Sequence, residues 1–198
     1  MSKELNQPEK GKKLTVHERK DMFRRWIFNA GLGYNFETQQ APAVAFSMRK
    51  ALRKIYPNDD EYIEAMDNHY KYFNANPLMA NIILGATLAM EEKDGIKAKD
   101  AVQSLKTSLM GPFSGVGDSV FWILIPTIMG SIAGYMALQG NAVGAILWML
   151  LQLSFYWLKM WFFKTGYDSG TKLITSLGEK INIFTDAISV MGLMVVGS

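Results

Sequence analysis

Residues 119–158 read SVFWILIPTIMGSIAGYMALQGNAVGAILWMLLQLSFYWL, 40 consecutive positions without a charged side chain. A helix that crosses the hydrocarbon core of a bilayer needs about 20 predominantly apolar residues, so this run holds enough chain for two crossings. Helices of soluble domains carry charge on the face turned to water, and this run has no such face. Gly140-Asn141 divides it into candidate spans over residues 119–138 and 142–158. Trp122, Trp148, Trp157 and Trp161 lie in or beside it, and those near its ends are placed for an aromatic belt. The run predicts an all-α, polytopic membrane protein.

Downstream, Lys159, Lys164 and Lys172 follow, and a last apolar segment begins near Ile181 and persists to Ser198. A chain that stops inside such a segment is expected to be cut short at its C-terminus. Upstream, Gly111-Pro112-Phe113-Ser114-Gly115-Val116-Gly117-Asp118-Ser119 reads as a turn-rich loop feeding the run, and residues 91–106 as a charged, aqueous helix. Asn74-Ala75-Asn76-Pro77 opens a shorter apolar segment that ends at Met90. Asn76 as cap with Pro77 at the first helical position is a start signal. Its fourteen residues would span roughly 21 Å against a core of roughly 30 Å, which predicts a half-span or a buried helix. Residues 49–71 are charged and mostly helical, with a turn and new helix start at Pro57-Asn58-Asp59.

Residues 27–48 carry one charge, Glu37, between Arg24/Arg25 and Arg49/Lys50. Gly31, Gly33 and Pro42 interrupt a simple helix there, so a broken or re-entrant pair of half-helices packed in protein is expected. Before it, residues 15–26 predict an amphipathic helix in the membrane interface. Thr15 and Glu18 have capping-box spacing, and Val16, Met22, Phe23, Trp26 and Ile27 can form a stripe away from Arg19, Lys20, Arg24 and Arg25. An ordinary surface helix would show the same pattern. Residues 1–14 read as a disordered cytoplasmic tail, and residues 27–198 as the membrane domain.

Twenty-one basic and 18 acidic residues give a net charge of +3, small for a nucleic-acid partner. Basic residues ahead of the first apolar stretch instead favour a cytoplasmic N-terminus near anionic headgroups. With no cysteine, disulfides and thiolate metal sites are excluded. The N-terminal stretch lacks the apolar block of a cleavable signal. No Walker lysine, Gly-x-Ser-x-Gly elbow or His-Glu-x-x-His signature occurs. His17 and His69 both lie in charged helices and read as surface residues. No catalytic residue, metal ligand or cofactor is therefore expected on this chain.

The candidate binding residues are polar groups in the interrupted segments. A carboxylate inside an uncharged span costs about 2.5–3.5 kcal/mol on insertion, so Glu37 is expected to face a cavity, a partner or a substrate, unless the segment is interfacial and Glu37 meets water. Asn35, Gln39 and Gln40 add the neutral donors and acceptors that replace water around sugar hydroxyls. Asn74 and Asn76 form a second polar cluster at a helix start, and Asp118 and Ser119 a third; for each, plain capping is the alternative. Two interrupted short apolar segments are the pattern from which transporters build a midplane site.

Five of these stretches occur together and in order: Asn35-Phe36-Glu37-Thr38-Gln39-Gln40, Ile55-Tyr56-Pro57, Phe73-Asn74-Ala75-Asn76-Pro77, Leu84-Gly85-Ala86-Thr87-Leu88-Ala89-Met90-Glu91-Glu92, and Gly111 through Trp122. In that register the chain resembles the IID subunit of the mannose/fructose/sorbose family of bacterial phosphotransferase permeases over about residues 20–195. The resemblance implies a multi-pass subunit of the bacterial cell (inner) membrane that pairs with a IIC membrane subunit, as a trimer of IIC–IID pairs, to carry a sugar. Cytoplasmic IIA and IIB carriers would relay phosphate from phosphoenolpyruvate to that sugar, with no phosphoacceptor on the IID chain. Two departures fall in the candidate sugar region. Thr38 stands where family members commonly have a basic residue, and Ala75-Asn76 where they have a Thr-His pair, which leaves sugars other than mannose open. Family chains also run well beyond 198 residues.

The sequence thus predicts a membrane subunit that binds a hexose or amino sugar through Glu37, Gln39 and Gln40, supported by Asn74 and Asp118. An ion- or proton-coupled secondary transporter in which Glu37 titrates is a second reading, and a non-transporting assembly subunit a third.

Overall fold

The computed structural model describes residues 13–170, and its regular structure is helical. The helices are α1 (Val16–Asn29), α2 (Ala41–Ile55), α3 (Asp59–Tyr70), α4 (Ala80–Asp94), a 3-10 turn (Gly95–Ala98), α5 (Lys99–Gly117), a π-helical stretch (Asp118–Leu124), α6 (Ile125–Leu138) and α7 (Val143–Ser169). The polar tail, over residues 1–12, and the apolar segment from Ile181 onward lie outside the described residues.

Helix α1 starts on the expected capping box. The Glu18 amide donates to Thr15 Oγ1 at 3.3 Å, and the Thr15 amide to Glu18 Oε2 at 2.9 Å. Its buried residues Met22, Phe23 and Trp26 pack on protein. The Phe23 ring lies 5.7 Å from both Tyr156 and Phe163 of α7. Burying such side chains stabilises by about 1.5–3 kcal/mol each, so the stripe that reads as lipid-facing serves tertiary packing, while Val16 and Phe28 stay exposed.

The chain breaks after α1, as the glycines and Pro42 require, and resumes as α2. This helix does not stop at Met48. Val44, Met48, Ala51, Leu52 and Ile55 form one buried stripe, while Arg49, Lys50, Arg53 and Lys54 face outward. α3 begins where expected, its first turn capped by Asn58 Oδ1, which accepts from Asp60 N at 2.8 Å and Glu61 N at 3.3 Å.

Helix α4 is the buried helix of the two alternatives, covered on all faces and packed most extensively on α7. Two glycines set that approach. A Cβ on Gly85 would come 2.2 Å from the Phe163 carbonyl oxygen, and one on Gly166 2.1 Å from that of Ile82. Residues 91–106 do not form one aqueous helix: the 3-10 turn divides them, and while Lys93, Asp94, Lys97 and Asp100 face water, Glu91, Glu92 and Lys106 are buried. Each has a partner drawn from another element. Glu91 Oε1 lies 3.0 Å from Nε2 of His69, itself fully buried rather than on the surface. Glu92 accepts from the Leu14 amide and the Tyr167 hydroxyl, and Lys106 Nζ donates to the Asn68 carbonyl at 3.0 Å. Buried charges are tolerated where such pairing replaces water.

The stretch expected as a loop, residues 111–119, is helix: α5 carries Pro112 inside it and passes without a break through the π-helical stretch into α6. Flanking apolar turns propagate the helix through residues whose intrinsic preference is against it. The division at Gly140-Asn141 is observed, with φ +75° at Gly140 and Asn141 Oδ1 accepting from Val143 N at 2.9 Å. Two helical stretches, ending at Leu138 and Ser169, are long and apolar enough to cross a membrane, and almost none of the apolar window in either is buried. Trp122, Ile128, Leu138, Leu150 and Trp157 are among their exposed side chains. That separates them from core helices of a soluble protein and assigns their surface to lipid or another chain.

Candidate functional site

Three of the sequence clusters meet at one junction. The chain between α1 and α2 folds back on itself: Asn35 and Gln39 exchange backbone hydrogen bonds at 3.1 and 3.2 Å. Asn35 Oδ1 accepts from Thr38 N at 2.6 Å, fixing the turn. Gln39 takes φ +55°, a left-handed conformation uncommon for a residue with a Cβ. Its side-chain Nε2 donates to the Phe36 carbonyl at 3.2 Å.

This turn is tied to the segment ahead of α4. The Gln40 amide donates to the Phe73 carbonyl at 2.9 Å, and Phe73 N to the Thr38 carbonyl at 3.3 Å. The Gln40 side chain is fully buried. Its Nε2 donates to Tyr34 Oη and to the Ala75 carbonyl, both at 2.7 Å, and its Oε1 accepts from Ala75 N at 3.1 Å. Tyr34 Oη in turn donates to Asn74 Oδ1 at 3.3 Å.

Asn76 joins the third cluster. Its Oδ1 accepts from the amides of Leu78 and Met79 at 3.0 and 3.4 Å, capping the turn over residues 77–79 ahead of α4, which itself starts at Ala80 rather than at Pro77. Its Nδ2 donates to Asp118 Oδ1 at 2.9 Å, and Ser114 Oγ donates to Asp118 Oδ2 at 3.3 Å. A Cβ on Gly117 would fall 2.3 Å from Asn76 Cβ, so glycine lets the two elements touch. Asp118 opens the π-helical stretch, a local widening found frequently at functional sites. From the other side, Trp26 Nε1 donates to the Pro77 carbonyl at 3.3 Å.

The candidate residues therefore divide. Gln40 and Asn76 are buried and engaged with protein, and they bind the junction together. Glu37 lies at the exposed tip of the turn beside Phe36, with no polar partner among the described residues. Asn74, Asp118 and Ser119 are half-buried, and Asn35 is exposed. Tyr34, Trp26 and Ser114 belong to the junction although the sequence marked none of them as a candidate site residue: Trp26 stood in the apolar stripe of residues 15–26 and Ser114 in the expected loop. Tyr34 directly precedes the polar knot, a placement that could have marked it. Nothing local in sequence marks Trp26 or Ser114 as a junction residue. Among the described residues, no group of three or more His, Asp or Glu side chains could hold a metal ion.

A family model described as the PTS system mannose/fructose/sorbose family IID component matches residues 13–198. The chain is 36% identical over 199 residues to the fructose permease IID component of Bacillus subtilis (strain 168), covering 96% of this chain and 70% of that protein. It is 33% identical over 193 residues to the mannose-specific EIID component of Escherichia coli (strain K12), covering 94% and 68%. Among solved structures it is similar to a chain of the mannose transporter ManYZ in complex with microcin E492 (MceA), with a TM-score of 0.74 at 31% identity, over 94% of this chain and 70% of that one.

Proposed function

This chain belongs to the mannose/fructose/sorbose family of IID components of the phosphotransferase system, and from that premise we propose that it pairs with a IIC membrane subunit to bind and translocate a hexose or amino sugar. Phosphoryl transfer to the sugar is carried by cytoplasmic IIA and IIB components, and the working assembly is a trimer of IIC–IID pairs. The likeness to a chain of the ManYZ transporter supports the membrane pairing. The relatives named for fructose and mannose support the substrate class. Residues 27–198 form the membrane domain, with residues 15–26 at the interface and the N-terminus in the cytoplasm.

The observation that carries the sugar site is the convergence of the 34–40, 73–77 and 114–119 segments on one hydrogen-bonded junction. Glu37, Asn74, Asp118 and Ser119 present the groups that meet sugar hydroxyls, with Asn35 and Gln39 shaping the turn; Gln40 and Asn76 hold the segments in register. A carboxylate accepts strong charge-assisted hydrogen bonds from hydroxyls, which makes Glu37 the leading contact. Glu37 stands exposed at the turn tip of this subunit, open to a substrate or to the partner membrane subunit.

Sugar uptake and phosphorylation in cells carrying the complete IIA–IIB–IIC–IID set test the reading. Glu37→Gln should abolish both while the subunit reaches the membrane at its normal level. Wild-type uptake in that variant would sink the role of Glu37. Phosphoenolpyruvate-independent uptake that fails with an uncoupler would replace the whole reading with secondary transport.

A further inference from the structure

We infer that the groove between α1 and the last turns of α7 is a binding site for an anionic phospholipid, with its headgroup at Arg19, Lys20 and Lys164 and an acyl chain laid over Trp157 and Trp161. The inference rests on the membrane residence of the family and not on the sugar reading.

The groove has a volume of about 510 Å3. Its floor is made by the Phe23 and Phe163 rings, and its apolar wall by Trp157, Met160 and Trp161. Trp157 and Trp161 are 62% and 58% exposed, unusual for large aromatic rings unless something apolar lies against them. The charged groups lining the same groove are Arg19, Lys20, Lys164 and Asp168. Lys164 is bonded to Asp168 at 2.8 Å, so one carboxylate faces three cations. Arg19 stacks over the Tyr167 ring at 4.2 Å, which holds its guanidinium at the groove. Lys20 is exposed and has no ion-pair partner among the described residues.

Depth decides what answers this excess of positive charge. The uncharged run ends at Leu158, so Trp157 sits at the edge of the apolar span while Lys164 lies beyond it. At about 1.5 Å per residue the two are roughly 10 Å apart along α7, which matches the step from acyl chains to headgroups. A free phosphate would satisfy the cations and leave the aromatic wall bare. A zwitterionic lipid would cover the wall and leave the excess positive charge uncompensated. An amphiphile with an anionic head answers both demands.

The permease complex containing the full chain, purified in mild detergent, tests this with brominated-chain phosphatidylglycerol and phosphatidylcholine as quenchers of tryptophan emission. Quenching should reach half its maximum at about tenfold lower phosphatidylglycerol than phosphatidylcholine. That preference should collapse in Arg19→Ala/Lys20→Ala/Lys164→Ala and persist in Lys71→Ala/Lys93→Ala/Lys97→Ala, which removes the same charge elsewhere. The quenching itself should fall in Trp157→Phe/Trp161→Phe. Equal response to the two lipids overturns the inference, as does a preference that survives the groove substitutions. Quenching unchanged by the tryptophan pair means that protein fills the groove and also overturns it. If the triple variant fails to fold, Lys20→Glu at its exposed position decides: the preference must drop, and an unchanged one refutes the site.

Discussion

The side-chain amide of Gln40 makes three hydrogen bonds inside the protein, at 2.7, 2.7 and 3.1 Å. Both N–H donors and an acceptor site are thereby engaged, so the group secures the junction rather than offering itself to a ligand. Gln40→Ala strands the Ala75 N–H and C=O, and each unsatisfied buried group costs about 1–3 kcal/mol. Thermal unfolding of the purified chain should show a lowered Tm for Gln40→Ala and almost none for Glu37→Gln, whose side chain is exposed. Equal shifts would contradict this division of labour. Sequence reading placed both residues in one polar knot and could not divide them, because residue type counts donors and acceptors without saying which are already saturated. His69 escaped for a related reason. Its neighbours in sequence are charged, but its partner Glu91 arrives from another helix, 22 residues on.

Elements differ in how openly they declare themselves. The start of α1 at Thr15 and of α3 after Asn58 were legible because a cap is a local event within four residues. The helical course of residues 111–119 was not. Glycine and proline there signal a turn locally, while the apolar turns on either side and the contact with Asn76 favour helix. The same limit hides what glycine does between α4 and α7. Gly85 and Gly166 look like mild helix weakeners in sequence, yet each lies against a carbonyl of the other helix. Gly166→Ala should therefore destabilise by about 1–3 kcal/mol through overpacking. Gly134→Ala, where a Cβ meets nothing within 4 Å, should be neutral or gain up to about 1 kcal/mol in helix propensity. Thermal melts of the two variants, run side by side, test whether the contact or the residue type governs; a gain for Gly166→Ala would dismiss the contact.

At the scale of the molecule, the packed body of α1–α5 and the projecting α6–α7 hairpin imply an orientation. The exposed cations of α2, with Lys93 and Lys97, belong to the body. The end of α7 returns to it, where Tyr167 bonds Glu92 and α7 packs on α4. The turn at residues 139–142 carries no charge. From the body to that turn, residues 119–138 extend for roughly 30 Å, the thickness of the hydrocarbon core. Cytoplasmic segments are enriched in Lys and Arg, so the cation-bearing surface of the body and the N-terminus should face the cytoplasm and the 139–142 turn the outside. The uncharged run announced membrane residence in sequence, while the α4–α7 contact on which this orientation rests joins residues too far apart in the chain to be read from it. Because the chain has no native cysteine, single cysteines report the arrangement without background. In intact cells a membrane-impermeant maleimide should label Gln139→Cys and leave Lys13→Cys and Lys93→Cys untouched until the membrane is opened. Labelling of Lys93→Cys from outside would invert the topology, and labelling of Gln139→Cys only after permeabilisation would mean that α6 and α7 do not cross as a pair.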